Sequence, residues 1–499
     1  MEYLLGIDVG TSSAKAVLMD ASGKPVHAVA PEYAFSTPKP NWAESDPSDW
    51  WEATVSAIRS VLEVVSADAI AGVGLTGQMH GLVLLDRDGS VLRPCIMWND
   101  QRTAAECGAL TRAIGAERVL QLTGNPLLPG FTAPKVVWVR ENEPEVYARI
   151  ARILLPKDYV RYRLSGAYCT DVSDASGMAL LDVANRTWSE EMLAGAEIPL
   201  AWLPELTESP VASARVSEEG ARATGLLAGT PIAAGGGDQA AQAVGCGIVR
   251  EGVISATLGT SGVIFAHSDS YRVEPEGRLH AFCHAVPGKW HLMGVMLSAA
   301  GSYQWYRNTL GGGAGYPELD AEAARAPAGA EGLFFLPYLS GERMPHPDPD
   351  ARGAFIGLSL RHGREHMTRA VLEGVCYGMR DGLELMRALG LRSKEIIASG
   401  GGARSPLWRQ MLADTFETCV VTVNATEGAA YGAAVLAGVA AGVYDSVEEA
   451  CATTVRTTGD TDPGADAAVY RTLYPHYRAL YPALRDVFRE IAGTVESSV

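Results

Sequence analysis

The sequence predicts an α/β protein of two similar halves that face a shared cleft. Three observations carry that prediction. A chain of 499 residues exceeds what one ordinary hydrophobic core holds. Short apolar runs of strand length alternate along it with stretches of helical periodicity. Finally, VISATLGTSGVIF at 253–265 repeats the plan of GIDVGTSSAKAVLMD at 6–20: an apolar strand, Gly-Thr-Ser, and a second apolar strand. The echo divides the chain into 1–244 and 245–499, with the boundary at the end of GGGDQAAQAVG (235–245).

Taken in order, residues 4–9 read as a first strand that carries a carboxylate, Asp8, inside it. The strand breaks at Gly10-Thr11-Ser12-Ser13 and resumes at 14–19, with Gly23 in the next turn. Trp50, Val55, Ile58, Leu62 and Val65 recur at helical spacing, so 49–65 reads as a helix. Short strands at 71–75 and 82–85 flank GQMHG (77–81), a glycine-bounded loop that projects Gln78, Met79 and His80. WNDQR (98–102) reads either as a helix start capped by Asn99 or Asp100, or as a set of ligand contacts. Residues 231–234 and 396–398 each form a strand that ends in glycines before a helix. Residues 311–315 and 457–465 have loop composition. The stretch 470–491, rich in Tyr, Leu and Arg, reads as a final helix that packs back on the first half.

An apolar share of 47% and a charged share of 20% belong to a soluble globular protein. With no apolar run of bilayer length and no basic leader, a cytoplasmic location is expected. Lys plus Arg number 41 against 58 Asp plus Glu, a net charge of −17, which argues against nucleic-acid or anionic-membrane partners. Such a balance still allows a phosphate held by local amides and a divalent cation. The 8 cysteines are scattered without CxxC or zinc spacing and read as reduced, buried thiols.

The paired turns are the first candidate site. Glycines let a ligand approach the backbone, amides and hydroxyls donate to phosphate oxygens, and a carboxylate holds magnesium through water. Asp8, Thr11, Ser12 and Ser13 supply that set at one turn, and Thr260 and Ser261 add to it at the other. Lys15 either reaches a phosphate or is merely solvated. Asp238, at a strand end before a helix, is either an N-cap or a base that accepts a proton from a substrate hydroxyl. SGGGARSPLWRQ (399–410) is neither a GxGxxG fingerprint nor a P-loop, which leaves backbone contact with a base or ribose.

DVGTSSAK, LGTSG, GGGDQ and GGGAR, in this order, resemble the sugar-kinase, Hsp70 and actin fold, and within it the FGGY carbohydrate kinases. GFTAPKVVWVREN (130–142) and GAFIGLSLRHGREHMTRAVLEG (353–374) are similar to that family's two signatures, so the resemblance spans essentially the whole chain. GQMHG, WAESDPSDWW, LLPGFTAPK, LLPKDY, SDASGM and YLSGERMPH are most similar to its xylulokinase branch. The resemblance implies two ribonuclease-H-like domains around a central cleft, the first binding mainly sugar and the second mainly ATP. The implied reaction is phosphorylation of D-xylulose by ATP with Mg2+, in xylose catabolism.

By motif position, Asp238 would be the base and Asp8 would position the metal and phosphates, both carboxylates lying on the metal side. Thr11, Ser12, Ser13, Thr260 and Ser261 would cradle the phosphates. Met79, His80, Gln239, Trp42 and Asn99 would line the sugar beside Asp238. Gly401, Gly402 and Ala403 would face the adenosine, with Gln304 nearby. The implied partners are the sugar and ATP, with neither nucleic acid nor membrane, and a homodimer is compatible. Gln239 departs from the Asn usual in that branch, and Pro406 stands where relatives often present an Asn to adenine. The alternatives are another acceptor in the family (ribulose, glycerol or gluconate), a chaperone-like ATPase of the same fold, and a sensor that has lost catalysis. GQMHG and GGGDQ speak against the ATPase, and retention of Asp8 and Asp238 against the sensor.

Overall fold

The computed structural model describes residues 2–425 and 427–496. In the first half, β1 (Tyr3–Val9) and β2 (Ala14–Asp20) form the expected hairpin, with Asp8 opposite Lys15, and β3 (Pro25–Val29) extends it antiparallel. Helix α1 (Pro47–Leu62) begins before its apolar repeat does: Asp46 caps it by accepting the Ser48 N–H, and Pro47 suits the first turn. β4 (Ile70–Gly77) returns parallel to β1. Helices α2 (Thr132–Asn142) and α3 (Pro156–Ser165) follow, then β5 (Ala212–Arg215), β6 (Pro231–Ala233) and α4 (Asp238–Gly245). The sheet order is β5-β6-β4-β1-β2-β3.

The second half repeats this plan. β7 (Val253–Leu258), β8 (Gly262–Ser268), β9 (His280–Cys283) and β10 (Trp290–Met296) lead into α5 (Ala300–Thr309) and the long α6 (Arg364–Ala388). β11 (Glu395–Ser399), α7 (Pro406–Phe416), β12 (Val420–Val423), α8 (Ala429–Ala440), β13 (Thr457–Thr461) and α9 (Ala467–Glu496) complete it. The order is β9-β10-β8-β7-β11-β12-β13. Five strands correspond in order and direction: β3-β2-β1-β4-β6 in the first half and β10-β8-β7-β11-β12 in the second. In each set two antiparallel pairings precede two parallel ones.

Two expectations are corrected. Residues 457–465, expected as loop, contain β13, an exposed edge strand antiparallel to β12. Its sequence TTGDT lacks apolar alternation because an edge strand here has no face to bury. The last helix, α9, packs on the second half rather than the first. Tyr470, Tyr474 and Tyr481 donate to Glu373 Oε1 (2.9 Å), Asp381 Oδ1 (2.6 Å) and Asp348 Oδ2 (2.5 Å). Buried phenols need acceptors, and these carboxylates lie on α6 and a neighbouring loop.

What crosses back is α8. It lies on β1 and β4 and against α4, burying Ala430, Tyr431, Ala434 and Val435 with Leu4, Val17 and Val244. The approach is backbone to backbone. A Cβ on Gly6 would stand 1.9 Å from the Ala430 carbonyl oxygen, and one on Gly432 1.7 Å from that of Ala241. α4 in turn faces the second sheet across a narrow crevice lined by Gln242, Ala243, Ser255 and Phe265. The described cysteines are free, and only Cys419 is not fully buried. Among the described residues no helix is long and apolar enough to cross a membrane.

Candidate active site

The first turn is built so that its carbonyls are occupied. Gly10 O accepts from Tyr33 Oη (2.6 Å) and Gln78 Nε2 (3.0 Å), and Ser13 O accepts from the Gly10 N–H (3.0 Å). Ser12 O accepts the Tyr33 N–H at 2.9 Å. Gln78 therefore serves the turn from below rather than projecting with Met79 and His80. Trp98 Nε1 donates to Thr11 Oγ1 at 3.1 Å, so that hydroxyl's own proton can point elsewhere. At the second turn, Gly259 O and Thr260 O accept backbone N–H groups of Ala300 (2.8 Å) and Ala299 (2.9 Å) at the start of α5. Thr260 is exposed, and Ser261 reaches the same cleft as Asp238.

Asp238 is the first residue of α4, with Gly237 at the N-cap and no side-chain cap, so the capping reading fails. Its carboxyl lines the cleft instead. Burial raises it to about 6, against hydrogen bonding from Gln239. Asp8 is raised to about 7, first by burial and then by the negative charge of Asp238, while Lys15 opposes. Lys15 itself pairs with Glu427 at 2.6 Å and is not merely solvated. Asp8 Oδ1 is buried and has no hydrogen-bond partner among the described residues. An orphaned carboxylate oxygen beside a second carboxyl is the arrangement a divalent cation neutralises, so the pair fits magnesium.

At Asp238 a cavity of about 390 Å³ opens. Met79, His80, Asn99, Asp238, Gln239 and Ser261 all line it. His80 holds a left-handed backbone (φ 70°), which a non-glycine residue adopts only when its surroundings impose it. Thr132 Oγ1 (3.0 Å) and Lys135 Nζ (2.9 Å) grip its carbonyl, and its Nδ1 lies 2.7 Å from Gly177 O. Since a carbonyl only accepts, Nδ1 carries the proton. Burial holds the ring neutral by lowering it to about 3, which leaves Nε2 as an acceptor.

Residues 3–245 match the model of the N-terminal domain of the FGGY family of carbohydrate kinases, and 254–441 match that of its C-terminal domain. The chain belongs to this family. It is 46% identical to the xylulose kinase of Escherichia coli over 82% of this chain and 84% of that protein. Two solved structures of TM-score 0.92 also match. A xyloylose kinase from Brucella ovis is 41% identical, covering 97% of this chain and 100% of that one. A gluconate kinase from Lactobacillus acidophilus is 28% identical, covering 98% and 99%.

In this FGGY kinase several residues of the cavity went unassigned at the level of sequence. Phe131, whose ring centroid lies 4.8 Å from that of His80, sits in the first family signature beside Thr132 and Lys135. His280, Phe282 and Arg343 enter from the second half, so this cavity is not built by the first half alone. LLPKDY and SDASGM meet behind Asp238. Lys157 Nζ lies 2.6 Å from Asp158 Oδ1 and 2.9 Å from Asp171 Oδ1, all fully buried. Ser173 Oγ in that cluster accepts the Gly237 N–H at 3.2 Å, one residue before Asp238.

Two assigned residues stand apart from their expected places. Trp42 does not line the cavity: the Arg102 guanidinium lies 3.6 Å from its ring centroid and Trp138 meets it edge-on at 5.3 Å. Arg102 also pairs with Asp100 (2.7 Å) and Glu44 (2.8 Å), so this aromatic gains more from a cation than from the cleft. The helix after WNDQR starts only at Ala104, so neither Asn99 nor Asp100 caps it. Ala403 turns its methyl into the core, leaving only backbone for a nucleotide. Gln304 is exposed on α5, the helix whose start donates to the second turn. Gly401 faces open space, and Gly400 (φ 83°) passes so near Leu258 O that a Cβ would stand 2.6 Å away.

Proposed function

We propose that this chain transfers the γ-phosphoryl group of ATP to the terminal hydroxyl of D-xylulose, giving ADP and D-xylulose 5-phosphate, as a cytoplasmic step of xylose catabolism. The observation that carries the reading is that Asp238 and Ser261 of the second turn line the His80 cavity, with Asp8, two residues before the first turn, near enough to feel the Asp238 charge. Likeness to xylulose kinases along most of the chain supports the choice of sugar.

In this mechanism Asp238 accepts the proton of the attacking hydroxyl, whose oxygen forms the new bond to phosphorus while the bond to the ADP oxygen breaks. Thr11, Ser12, Ser13, Thr260 and Ser261 donate to phosphate oxygens as charge moves across them. Met79, His80, Asn99 and Gln239 hold the sugar so that the hydroxyl faces the phosphoryl group. Asp8, with Asp238 beside it, would hold Mg2+, which supplies charge neutralisation on the phosphates when bound. The loop at Gly401 and Gly402 receives the adenosine through its backbone. Closure of the two halves keeps water from the phosphoryl group.

The test is ADP release by the purified protein across ketoses, polyols and aldonates. Preference for D-xylulose supports the reading. Preference for gluconate, ribulose or glycerol keeps the kinase and replaces the sugar. ATP hydrolysis that no sugar stimulates overturns the reading.

A further inference from the structure

The sugar cavity contains an arginine that neither the proposed mechanism nor the motifs of the first half use. Arg343 lies in YLSGERMPH, on a loop fixed to the end of β10: Glu342 Oε1 accepts the N–H groups of Arg343 (2.7 Å) and Leu297 (2.9 Å). Its side chain lines the cavity and makes no ion pair or hydrogen bond with any described residue. Arg343 is exposed, so its unpaired guanidinium holds water that a ligand in the cavity can replace. Partial desolvation by the cleft walls lowers its pKa, with the adjacent Glu342 charge opposing.

Its surroundings follow from the lining. Arg343 shares the cavity with His80 and Phe131 of the first half and with His280 and Phe282 of the second. Its charge acts on His80 and His280, helping to keep both neutral.

We infer that Arg343 is a specificity residue that donates to an oxygen of the sugar bound in this cavity. This rests on the sugar-kinase reading above. A guanidinium offers only donors, so it favours the carbonyl oxygen of an open-chain ketose over an alditol hydroxyl, which carries a proton of its own. A ketose held by His80 on one side and Arg343 on the other bridges the two halves, so its binding favours the closed cleft.

The experiment is steady-state kinetics of wild type, Arg343→Met and Arg343→Lys with D-xylulose, with its reduced forms xylitol and D-arabinitol, and with ATP, alongside melting temperatures. In Arg343→Met the KM for D-xylulose is expected to rise roughly 10- to 100-fold, the worth of a charge-assisted hydrogen bond. The KM for ATP and the melting temperature stay put, the preference for ketose over alditol shrinks, and Arg343→Lys recovers part of the loss. An unchanged KM for D-xylulose overturns the inference, whether kcat holds or falls. A wild type inert toward every sugar is seen before any variant is made; it overturns the kinase reading and this inference with it.

Discussion

The two Gly-Thr-Ser hairpins share a backbone plan and differ in the side chains that carry charge. Two residues before Gly10 stands Asp8; two residues before Gly259 stands Thr257, whose hydroxyl is engaged with Ser399 Oγ at 2.9 Å. The cross-strand partners agree, Thr76 on β4 opposite Asp8 and Ser399 on β11 opposite Thr257. The same contrast recurs at the helices that follow the last parallel strand: α4 begins with Asp238, and α8 begins with Ala429. A repeated scaffold thus carries the Gly-Thr-Ser turn twice and the acid pair once. Freed from carrying a carboxylate, the second-half helix is small enough to lie directly on the first sheet and join the halves.

If that division is right, the largest loss comes from the first half's base. Asp238→Ala should lower kcat by about 100- to 10,000-fold while ATP binding, read by calorimetry, persists. Turnover near wild type would erase the contrast between α4 and α8. The next largest effect tests the helix without acid. Gly432→Val places a side chain where even a Cβ lies 1.7 Å from Ala241 O, and overpacking of this kind costs about 1–3 kcal/mol or more. Urea unfolding should show that loss. A variant as stable as wild type would mean that α4 and α8 part easily, and that the close crossing does not join the halves.

How much of this was legible in sequence varies with how locally it is encoded. The hairpins, the strand–glycine–helix junctions and the twofold plan depend on neighbours within a few residues, so their boundaries could be read directly. Asp8, Asp238, Met79 and His80 were legible because acids and large side chains are out of place in strands and tight turns. Phe131, His280 and Arg343 were not, since each is an ordinary residue until the fold brings it to the cavity. Trp42 shows the converse: it lies near the site in sequence, yet Arg102 and Trp138 claim its faces. The destination of α9 depended on carboxylates about a hundred residues upstream, which periodicity within the helix does not report.

A smaller effect separates the two turns through pH. The Asp8 carboxyl, at about 7 when folded, lies above its ordinary value, so the native state holds a proton that the unfolded chain releases. Its contribution is therefore intact at low pH and is lost progressively as pH rises, up to about 7. Asp8→Asn removes that dependence. In magnesium-free buffer the variant should melt higher than wild type by a few degrees at pH ~8, with the gap closing toward pH ~4. Thr257→Val should show no such pH dependence. A constant gap for Asp8→Asn across that range would place the orphaned carboxylate in an ordinary, solvated setting.

The smallest effect distinguishes how the two turns hold their threonines. Trp98 donates to Thr11 Oγ1 at 3.1 Å, whereas among the described residues no side chain donates to Thr260. With one lone pair taken by the indole, the Thr11 hydroxyl has its proton oriented before a phosphate arrives. Trp98→Phe keeps a large ring at the cavity mouth and deletes only that donor. A neutral hydrogen bond is worth about 1 kcal/mol net, so the KM for ATP should rise roughly fivefold with kcat nearly unchanged. Thr257→Val, which removes the bond to Ser399 beneath the other turn, should move the KM for ATP by less than about twofold, since that bond lies in the narrow crevice against α4 rather than at the turn itself. If Thr257→Val proved the more damaging, the second turn would be the tuned one, and the asymmetry of the acids would not extend to the hydroxyls that grip the phosphates.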